Sequence, residues 1–290
     1  MEAGYIIAGL AVGFIVGLTG VGGGSLMTPI LLWFGINPAT AVGTDLLYAA
    51  ITKAGGVVVH HKQRNIDWRI TGWLAAGSVP AALLTVLALH VAQPDIGTLN
   101  AVIKHGLGFA LILTALAIIF KKNLLSFAQR HAGDWLNMPQ HKLDYLTLAI
   151  GLLLGVIVTL TSIGAGALGT VALFLLYPLI PTSRLVGTEI AHAVPLTAIA
   201  GLGHAGLGNI DWFVLTSLLA GSLPGIWMGS RLTGRAPDKI LRPCLAVMLF
   251  SKETGTANLL LEEVGLIKTP VNIYSAEGTA FLLPLMVGWR

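Results

Sequence analysis

The sequence predicts an all-α integral membrane protein with about eight to ten transmembrane helices in two homologous halves. Of its 290 residues, 55% are hydrophobic and only 10% are charged, whereas an ordinary soluble domain carries about 25% charged residues. Long runs such as 3–44 and 145–183 contain no Asp, Glu, Lys or Arg, and a helix needs roughly 20 apolar residues to cross a bilayer. These runs lack the period-two alternation of barrel strands, so a β-barrel is excluded.

An internal repeat defines the two halves. Residues 13–32 match 155–174 at an offset of 142, and 42–80 match 186–224 at an offset of 144. Asn65-Ile66-Asp67-Trp68 recurs unchanged as Asn209-Ile210-Asp211-Trp212, which chance matches of Gly and Leu cannot explain. The chain therefore divides into four parts: a first transmembrane repeat at 1–120, a cytoplasmic linker at 121–143, a second transmembrane repeat at 144–250 and an atypical tail at 251–290.

Uncharged runs and turn residues give the helices of each half in order. The predicted segments of the first half lie near 4–19, 25–36, 41–60, 70–91 and 99–120. Those of the second half lie near 145–162, 167–180, 186–206 and 212–230, with a further start near 240. The segment at 25–36 is too short to cross a hydrocarbon core by itself. Asp67 and Asp211 are typical N-caps in front of interfacial tryptophans.

Lys and Arg residues indicate the orientation. The loop around Asn65 and the linker at 121–143 are both basic, which predicts that both face the cytoplasm. The equivalent loop at 204–211 has no Lys or Arg, whereas 231–242 is rich in them. This pattern favours inverted repeats of five passes each, as in many secondary transporters. Parallel repeats of four passes with re-entrant short segments are the alternative, and they would leave 231–242 outside.

Glycine clusters interrupt the apolar sequence at equivalent places in the two halves, at 20–24 and 164–166. Irregular backbone inside a membrane is tolerated where it lines a cavity or is buried in protein, and the N-terminus of the half-helix that follows can bind an anion. Close helix packing through small residues is the competing explanation. The candidate substrate-binding residues are Thr19, Gly20, Gly22, Gly23, Gly24, Ser25, Thr161, Ser162, Gly164 and Gly166.

Ionisable residues inside predicted spans form the second group of candidates. Val-Gly-Thr followed by an acid occurs at 42–45 and again at 186–189, and an ionisable group within a span is by default functional. An interfacial position, or a salt bridge between Asp45 and Lys53, is the alternative. The candidate coupling or gating residues are Thr44, Asp45, Lys53, Thr188, Glu189 and His192.

Other functional classes find little support in the sequence. The one cysteine, Cys244, excludes an intramolecular disulfide, and neither HExxH nor CxxC is present, so we expect no metal, cofactor or catalytic site. No Walker lysine follows the glycine cluster, which disfavours ATP-driven transport. The formal charge of +4 is typical of basic cytoplasmic loops, so we expect a lipid bilayer and no nucleic acid as partner.

The motifs resemble one known family. Gly20-Val21-Gly22-Gly23-Gly24-Ser25-Leu26 with Pro29, the segment Ala41-Val42-Gly43-Thr44-Asp45 and the Asn65-Ile66-Asp67 loop are similar to the sulfite exporter TauE/SafE family of membrane permeases, over about residues 5–250. The resemblance implies about eight helices and secondary transport of sulfite, sulfonates or related sulfur oxyanions across the bacterial inner membrane. We expect proton coupling. The alternative is a membrane-embedded accessory subunit or enzyme without transport activity.

The end of the chain departs from this pattern. A final apolar helix is expected from Leu241, but Ser251-Lys252-Glu253-Thr254-Gly255 interrupts it after Phe250. Either the tail is a divergent terminus that packs on the surface, or its coding frame has been altered. No functional expectation therefore rests on residues 251–290.

Overall fold

A computed structural model describes residues 2–19, 24–119, 139–164 and 166–232, and every structural statement below concerns these ranges. They form nine α-helices and no strands, which confirms the predicted all-α class. The helices are α1 (Glu2–Thr19), α2 (Gly24–Trp33), α3 (Pro38–Lys62), α4 (Trp68–Ala92), α5 (Ile96–Ile119), α6 (Gln140–Thr161), α7 (Ala167–Leu176), α8 (Thr182–Gly206) and α9 (Trp212–Leu232).

Six of these helices, α3, α4, α5, α6, α8 and α9, are long and apolar enough to cross a membrane. Helices α2 and α7 have 10 residues each, so they are the short segments that follow the two glycine clusters. Large apolar side chains on the outer surfaces remain exposed, for example Leu84 at 65% and Leu153 at 60%. Such a surface requires an apolar solvent, as a lipid bilayer provides.

Local sequence signals fix the helix ends. The Asn37 side chain accepts a hydrogen bond from the backbone N–H of Thr40 at 2.9 Å, with Pro38 at the first turn of α3. Asp67 accepts from the N–H groups of the first turn of α4, and Asp211 does the same for α9. Both acids are therefore N-caps, as the sequence predicts.

Two glycine seams join helices from opposite halves. A methyl group on Gly13 of α1 would lie 2.5 Å from the carbonyl oxygen of Ser222 of α9, and one on Gly17 would lie 2.6 Å from that of Ile226. Contacts advance in the same direction along both helices, so α1 and α9 are parallel. Helices α4 and α6 repeat this arrangement, with Gly155 packed on the backbone of Ser78. Glycine at four-residue spacing permits this close approach.

Helices α3 and α8, which are equivalent in the repeat, run in opposite directions at the centre. The backbone N–H of Asp67, just after α3, donates to the Thr188 hydroxyl near the start of α8 at 2.9 Å. The backbone N–H of Asp211, just after α8, donates to the Thr44 hydroxyl near the start of α3 at 2.9 Å. The end of each helix thus lies beside the beginning of the other.

Ion pairs tie the start of α4 to two helices of the second half. Arg69 binds Asp144 of α6 at 2.7 Å, and Arg184 of α8 binds Asp67 at 2.9 Å. Because Asp144 is at the start of α6, the basic loop after α3 and the beginning of the second repeat lie at the same end of the bundle. Both arginine side chains are about half exposed, so each pair contributes about 0–1 kcal/mol to stability.

The α1–α9 seam gives a first testable expectation. Gly13→Ala places a methyl group against the Ser222 carbonyl, and overpacking of this kind costs about 1–3 kcal/mol. We expect thermal unfolding of the detergent-solubilised protein to shift downward by about 5 °C. Gly72→Ala in α4 is the matched control, because nothing lies within 4 Å of its added methyl group. Equal melting temperatures for the two variants would contradict the seam.

Candidate functional site

Two carboxylates, Asp45 of α3 and Glu189 of α8, lie buried at the centre of the bundle. Both side chains are 0% exposed, and the two residues are equivalent in the internal repeat. Each lies about two turns from the start of its helix. Because α3 and α8 run in opposite directions, the two acids lie at different levels along this central helix pair.

Asp45 connects the interrupted segments of both halves. Its Oδ2 accepts a hydrogen bond from the hydroxyl of Thr28 on α2 at 2.5 Å and another from the hydroxyl of Ser162, between α6 and α7, at 2.9 Å. Its Oδ1 has no hydrogen-bond partner among the described residues. The carboxylate is therefore held by donors from one side, and one oxygen remains able to accept a further donor.

Glu189 lies against the first turn of α7. A methyl group on Gly169 would be 2.5 Å from both carboxylate oxygens, so the absence of a side chain at this position makes room for the carboxylate. Within the described ranges, neither of these oxygens has a hydrogen-bond partner, and the hydroxyl of Thr170, the residue after Gly169, also has none. The N-terminal turn of a helix carries positive partial charge, which is a favourable surrounding for an anionic group.

His192 lies one turn after Glu189 and connects it to α4. Its Nε2 is 2.9 Å from the Ser78 hydroxyl, and its Nδ1 is 3.6 Å from Glu189 Oε2. The imidazole is 0% exposed. It therefore lies between a carboxylate and a hydroxyl group.

Lys53 supplies the positive charge of the cluster. The side chain is 1% exposed, and its ammonium interacts electrostatically with both Glu189 and Asp45. The equivalent position in the second half is Thr197, whose hydroxyl donates to the carbonyl oxygen of Ala193. The cluster thus contains two carboxylates and one lysine, and the lysine comes from the first half alone.

Two residues of the second glycine break have left-handed backbone conformations. Ser162 has a φ of 57° and Gly164 a φ of 122°, and the Gly164 carbonyl accepts hydrogen bonds from the N–H groups of Gly166 at 2.7 Å and Gly169 at 3.0 Å. The Thr161 hydroxyl bonds within the break, to the backbone of Ile157 and Ile163. Of these predicted substrate-binding residues, Ser162 is the one whose side chain reaches an acid of the cluster.

The first break lies largely outside the described residues. Gly20, Gly22 and Gly23 are not described, nor are the side chains of Thr19 and Ser25, while Gly24 begins α2. The predicted role of this segment stays a prediction. Also outside the described residues are most of the predicted linker, the helix start near 240 and the tail.

The structure separates the predicted coupling residues into two groups. Asp45, Lys53, Glu189 and His192 form one electrostatic cluster, in which Lys53 interacts with both acids and His192 lies beside Glu189. The hydroxyls of Thr44 and Thr188 instead hold the loops of the opposite repeat, as described above. No group of three or more His, Cys, Asp or Glu side chains in the described ranges is arranged to hold a metal ion.

Sequence reasoning missed three residues that contact the cluster: Thr28, Ser78 and Gly169. A signal for two of them was present, because Thr28 matches Thr170 and Ser78 matches Ser222 across the repeat. Duplicated hydroxyl groups in apolar segments, next to duplicated acids, could have marked them.

An all-α bundle with several apolar helices and a buried charged cluster where its two halves meet is the architecture of a membrane transporter. The profile of the sulfite exporter TauE/SafE family matches residues 5–251, and the chain belongs to this family. This confirms the resemblance seen in the sequence motifs. The match ends where the polar interruption at 251–255 begins.

Curated relatives agree with this assignment. The chain is 41% identical over 250 residues to the probable membrane transporter protein YjnA of Bacillus subtilis, covering 86% of this chain and 97% of the relative. It is 27% identical to the probable membrane transporter protein YdhB of the same organism, over 83% and 94% of the two chains. A probable membrane transporter protein of Methanocaldococcus jannaschii is 27% identical, over 85% and 90%.

No solved structure matches the chain. The family, the transporter relatives and the six apolar helices together identify a multi-pass bacterial membrane protein that functions in transport.

Proposed function

We propose that the protein is a secondary transporter of small anions, with sulfite, sulfonates and related sulfur oxyanions as its substrate class and protons as the coupling ion. The single observation that carries the proposal is a buried lysine that interacts electrostatically with two buried carboxylates, one of which lies against the first turn of the half-helix α7. Lys53 offers a cation, and the surrounding hydroxyl groups offer hydrogen-bond donors without further charge. The name of the family supports sulfur oxyanions as the substrate class.

The substrate would lie between the two interrupted segments. On this proposal, the glycine-rich backbone near 20–24 and 164–166 contributes N–H donors, and Ser162 and Thr170 contribute hydroxyls. Oxyanions present several acceptor oxygens, so a site made of N–H and O–H donors with one cation suits them.

We further propose that the two repeats are inverted in the membrane. Two observations support this: α3 and α8 run in opposite directions, and the loop that follows each of them contacts the beginning of the other. If each repeat crosses the membrane five times, with the short helix counted as one crossing, equivalent helices of the two repeats run in opposite directions. The contacts of Thr44 and Thr188 would then act as gates, one near each membrane surface.

Flux measurements test the proposed function. We expect purified protein in liposomes to carry radiolabelled sulfite, thiosulfate or a simple alkanesulfonate, and we expect an inward proton gradient to accelerate uptake. Protein-free liposomes correct for passive leakage, and a potassium–valinomycin clamp removes contributions from membrane potential. Equal rates of anion uptake with and without the proton gradient would contradict proton coupling.

A second outcome would contradict transport itself. If none of the three anions enters faster than in protein-free liposomes, in either direction of the gradient, the substrate class is wrong. A role as an accessory subunit or as a membrane-embedded enzyme would then be the better explanation of the buried cluster.

A further inference from the structure

Two loops carry the repeated Asn-Ile-Asp-Trp sequence, the α3 loop at 63–67 and the α8 loop at 207–211. Each loop follows one central helix and donates the backbone N–H of its aspartate to a threonine near the start of the other, at 2.9 Å in both cases. A carbonyl oxygen of each loop also lies against a glycine of that helix, where an added methyl group would overlap it. The residues are Asp67, Thr188 and Gly187 at one end and Asp211, Thr44 and Gly43 at the other. The backbone contacts at the two ends of the α3–α8 pair are therefore the same.

An ion pair reinforces the contact of the α3 loop. Arg184, in the first turn of α8, donates to Oδ2 of Asp67 at 2.9 Å. The carbonyl oxygen of Arg184 accepts a hydrogen bond from the Thr188 hydroxyl at 2.7 Å, and this is the hydroxyl that receives the N–H of Asp67. Arg184 thus holds the α3 loop through its side chain and positions the threonine through its backbone.

The internal repeat places no arginine at the equivalent position of the other end. Thr40, in the first turn of α3, matches Arg184 at the offset of 144, and its uncharged side chain cannot form an ion pair. Both aspartates nevertheless cap the helix that follows, Asp67 for α4 and Asp211 for α9, each through Oδ1. The two ends therefore share their caps and their backbone contacts, and they differ in the ion pair.

We infer that the Arg184–Asp67 ion pair holds one gate closed and makes the α3-loop end of the transport path the harder end to open. The inference rests on the proposed function, in which these loop contacts are the gates. Opening at either end breaks the backbone contacts, and opening at the α3-loop end must in addition separate Arg184 from Asp67. For a half-exposed pair we expect a difference of about threefold between the two opening equilibria. The protein is then open more often at the α8-loop end, which the distribution of Lys and Arg predicts to face outward.

Hydrogen exchange measures each gate directly, because the two donating N–H groups have the same neighbours. Each belongs to the aspartate of Asn-Ile-Asp-Trp, so their intrinsic exchange rates are equal and a difference reports local opening. By mass spectrometry of the wild-type protein at single-amide resolution, we expect the N–H of Asp67 to exchange about threefold more slowly than that of Asp211. About 1 M salt should reduce this difference, since it screens exposed ion pairs. Equal exchange rates at low salt would overturn the inference.

Two matched substitutions separate the ion pair from the helix cap. Asn caps a helix about as well as Asp, so Asp67→Asn and Asp211→Asn each keep the cap and remove one carboxylate. We expect exchange at position 67 to rise about threefold in Asp67→Asn, and exchange at position 211 to stay unchanged in Asp211→Asn, after correction for the intrinsic rate of asparagine. Arg184→Gln should raise exchange at Asp67 by the same factor. Equal responses of the two loops to loss of their aspartates would contradict a role of the ion pair.

Arg69→Gln is the control for charge at the same end of the bundle. Arg69 pairs with Asp144 at 2.7 Å, and this pair lies between α4 and α6, which are already joined by their glycine seam. Opening of the α3 loop does not have to separate these two helices. We therefore expect Arg69→Gln to leave the exchange of the Asp67 N–H unchanged. An increase as large as that in Arg184→Gln would point to a general effect of charge and would overturn the inference.

Anion exchange relates this gate to transport. Exchange of internal for external thiosulfate requires both gates to open in turn, so the gate that opens less often sets the rate. In liposomes we expect Arg184→Gln to exchange thiosulfate about threefold faster than the wild type, and Asp211→Asn to match the wild type. Faster hydrogen exchange at Asp67 in Arg184→Gln without faster anion exchange would overturn the assignment of the slower gate. Absence of anion flux in the wild type would overturn the proposed function, whereas the hydrogen exchange rates would still decide whether the ion pair holds the loop.

Discussion

Replacing Lys53 by methionine is expected to reduce anion flux at least about 100-fold. Methionine fills a similar volume but removes the positive charge that interacts with both Asp45 and Glu189. Truncating one partner of a buried, hydrogen-bonded charge pair at a binding site costs about 2–5 kcal/mol of binding free energy, and each 1.4 kcal/mol corresponds to about tenfold in an equilibrium constant. Radiotracer uptake into liposomes of the proteins in equal amounts measures the loss.

Two further variants separate function from folding in this experiment. Lys104→Met removes a lysine from an exposed position on α5 and is expected to keep wild-type flux. The double variant Asp45→Asn with Lys53→Met removes both members of the pair, so its melting temperature should recover relative to Lys53→Met while its flux stays low. Wild-type flux in Lys53→Met would show that the lysine does not contact the substrate.

Gly169→Ala is expected to have the next largest effect, a loss of proton-driven uptake of about tenfold or more. The added methyl group would lie 2.5 Å from both oxygens of Glu189, so the carboxylate must move away from the first turn of α7. A displacement of about 1 Å at a reacting or binding group can cost about 100-fold. Initial uptake rates at several external pH values would record both the size of the loss and any change in pH dependence.

The control for this change is again Gly72→Ala. Alanine favours a helix over glycine by about 0.5–1 kcal/mol, so both variants gain the same intrinsic preference. They differ in what the added methyl group contacts. In Gly169→Ala it lies against the Glu189 carboxylate, and in Gly72→Ala it lies in open space. If the two variants transport equally well, Glu189 does not need its position beside Gly169.

The helices could be predicted closely from the sequence because charge and turn residues mark most of their ends. The segment predicted near 41–60 is the helix at Pro38–Lys62, and that near 70–91 is Trp68–Ala92. The short helices were predicted too long: they end at Trp33 and Leu176, not at 36 and 180. The extra residues are mostly apolar but lie in turns, one of which requires a φ of 84° at Gly35, and hydropathy does not register such a turn.

The ionisable residues of the site could be predicted from the sequence, but the hydroxyl groups that contact them could not. Asp45, Lys53, Glu189 and His192 are conspicuous within apolar spans, since burial of such groups is rare. A threonine in a helix commonly bonds to its own backbone, as Thr159 does with the Gly155 carbonyl. Sequence alone cannot tell which threonine, such as Thr28, instead reaches across to another helix. The functional roles of all these residues remain predictions.

The glycine seams were also missed, although their four-residue spacing was visible at 9, 13 and 17 and again at 221, 225 and 229. The glycine clusters at 20–24 and 164–166 indicate breaks in a helix. Glycine inside a regular helix has a different use, because it allows two backbones to touch.

The glycine seams also determine which helices can move together as rigid bodies. Helix α1 of the first repeat is locked to α9 of the second, and α4 of the first is locked to α6 of the second. A rocking motion that preserved these contacts would carry mixed pairs, each with one helix from either copy of the ancestral unit. The units that can move as rigid bodies therefore do not coincide with the two sequence repeats. Neither repeat expressed alone would contain a complete rigid unit.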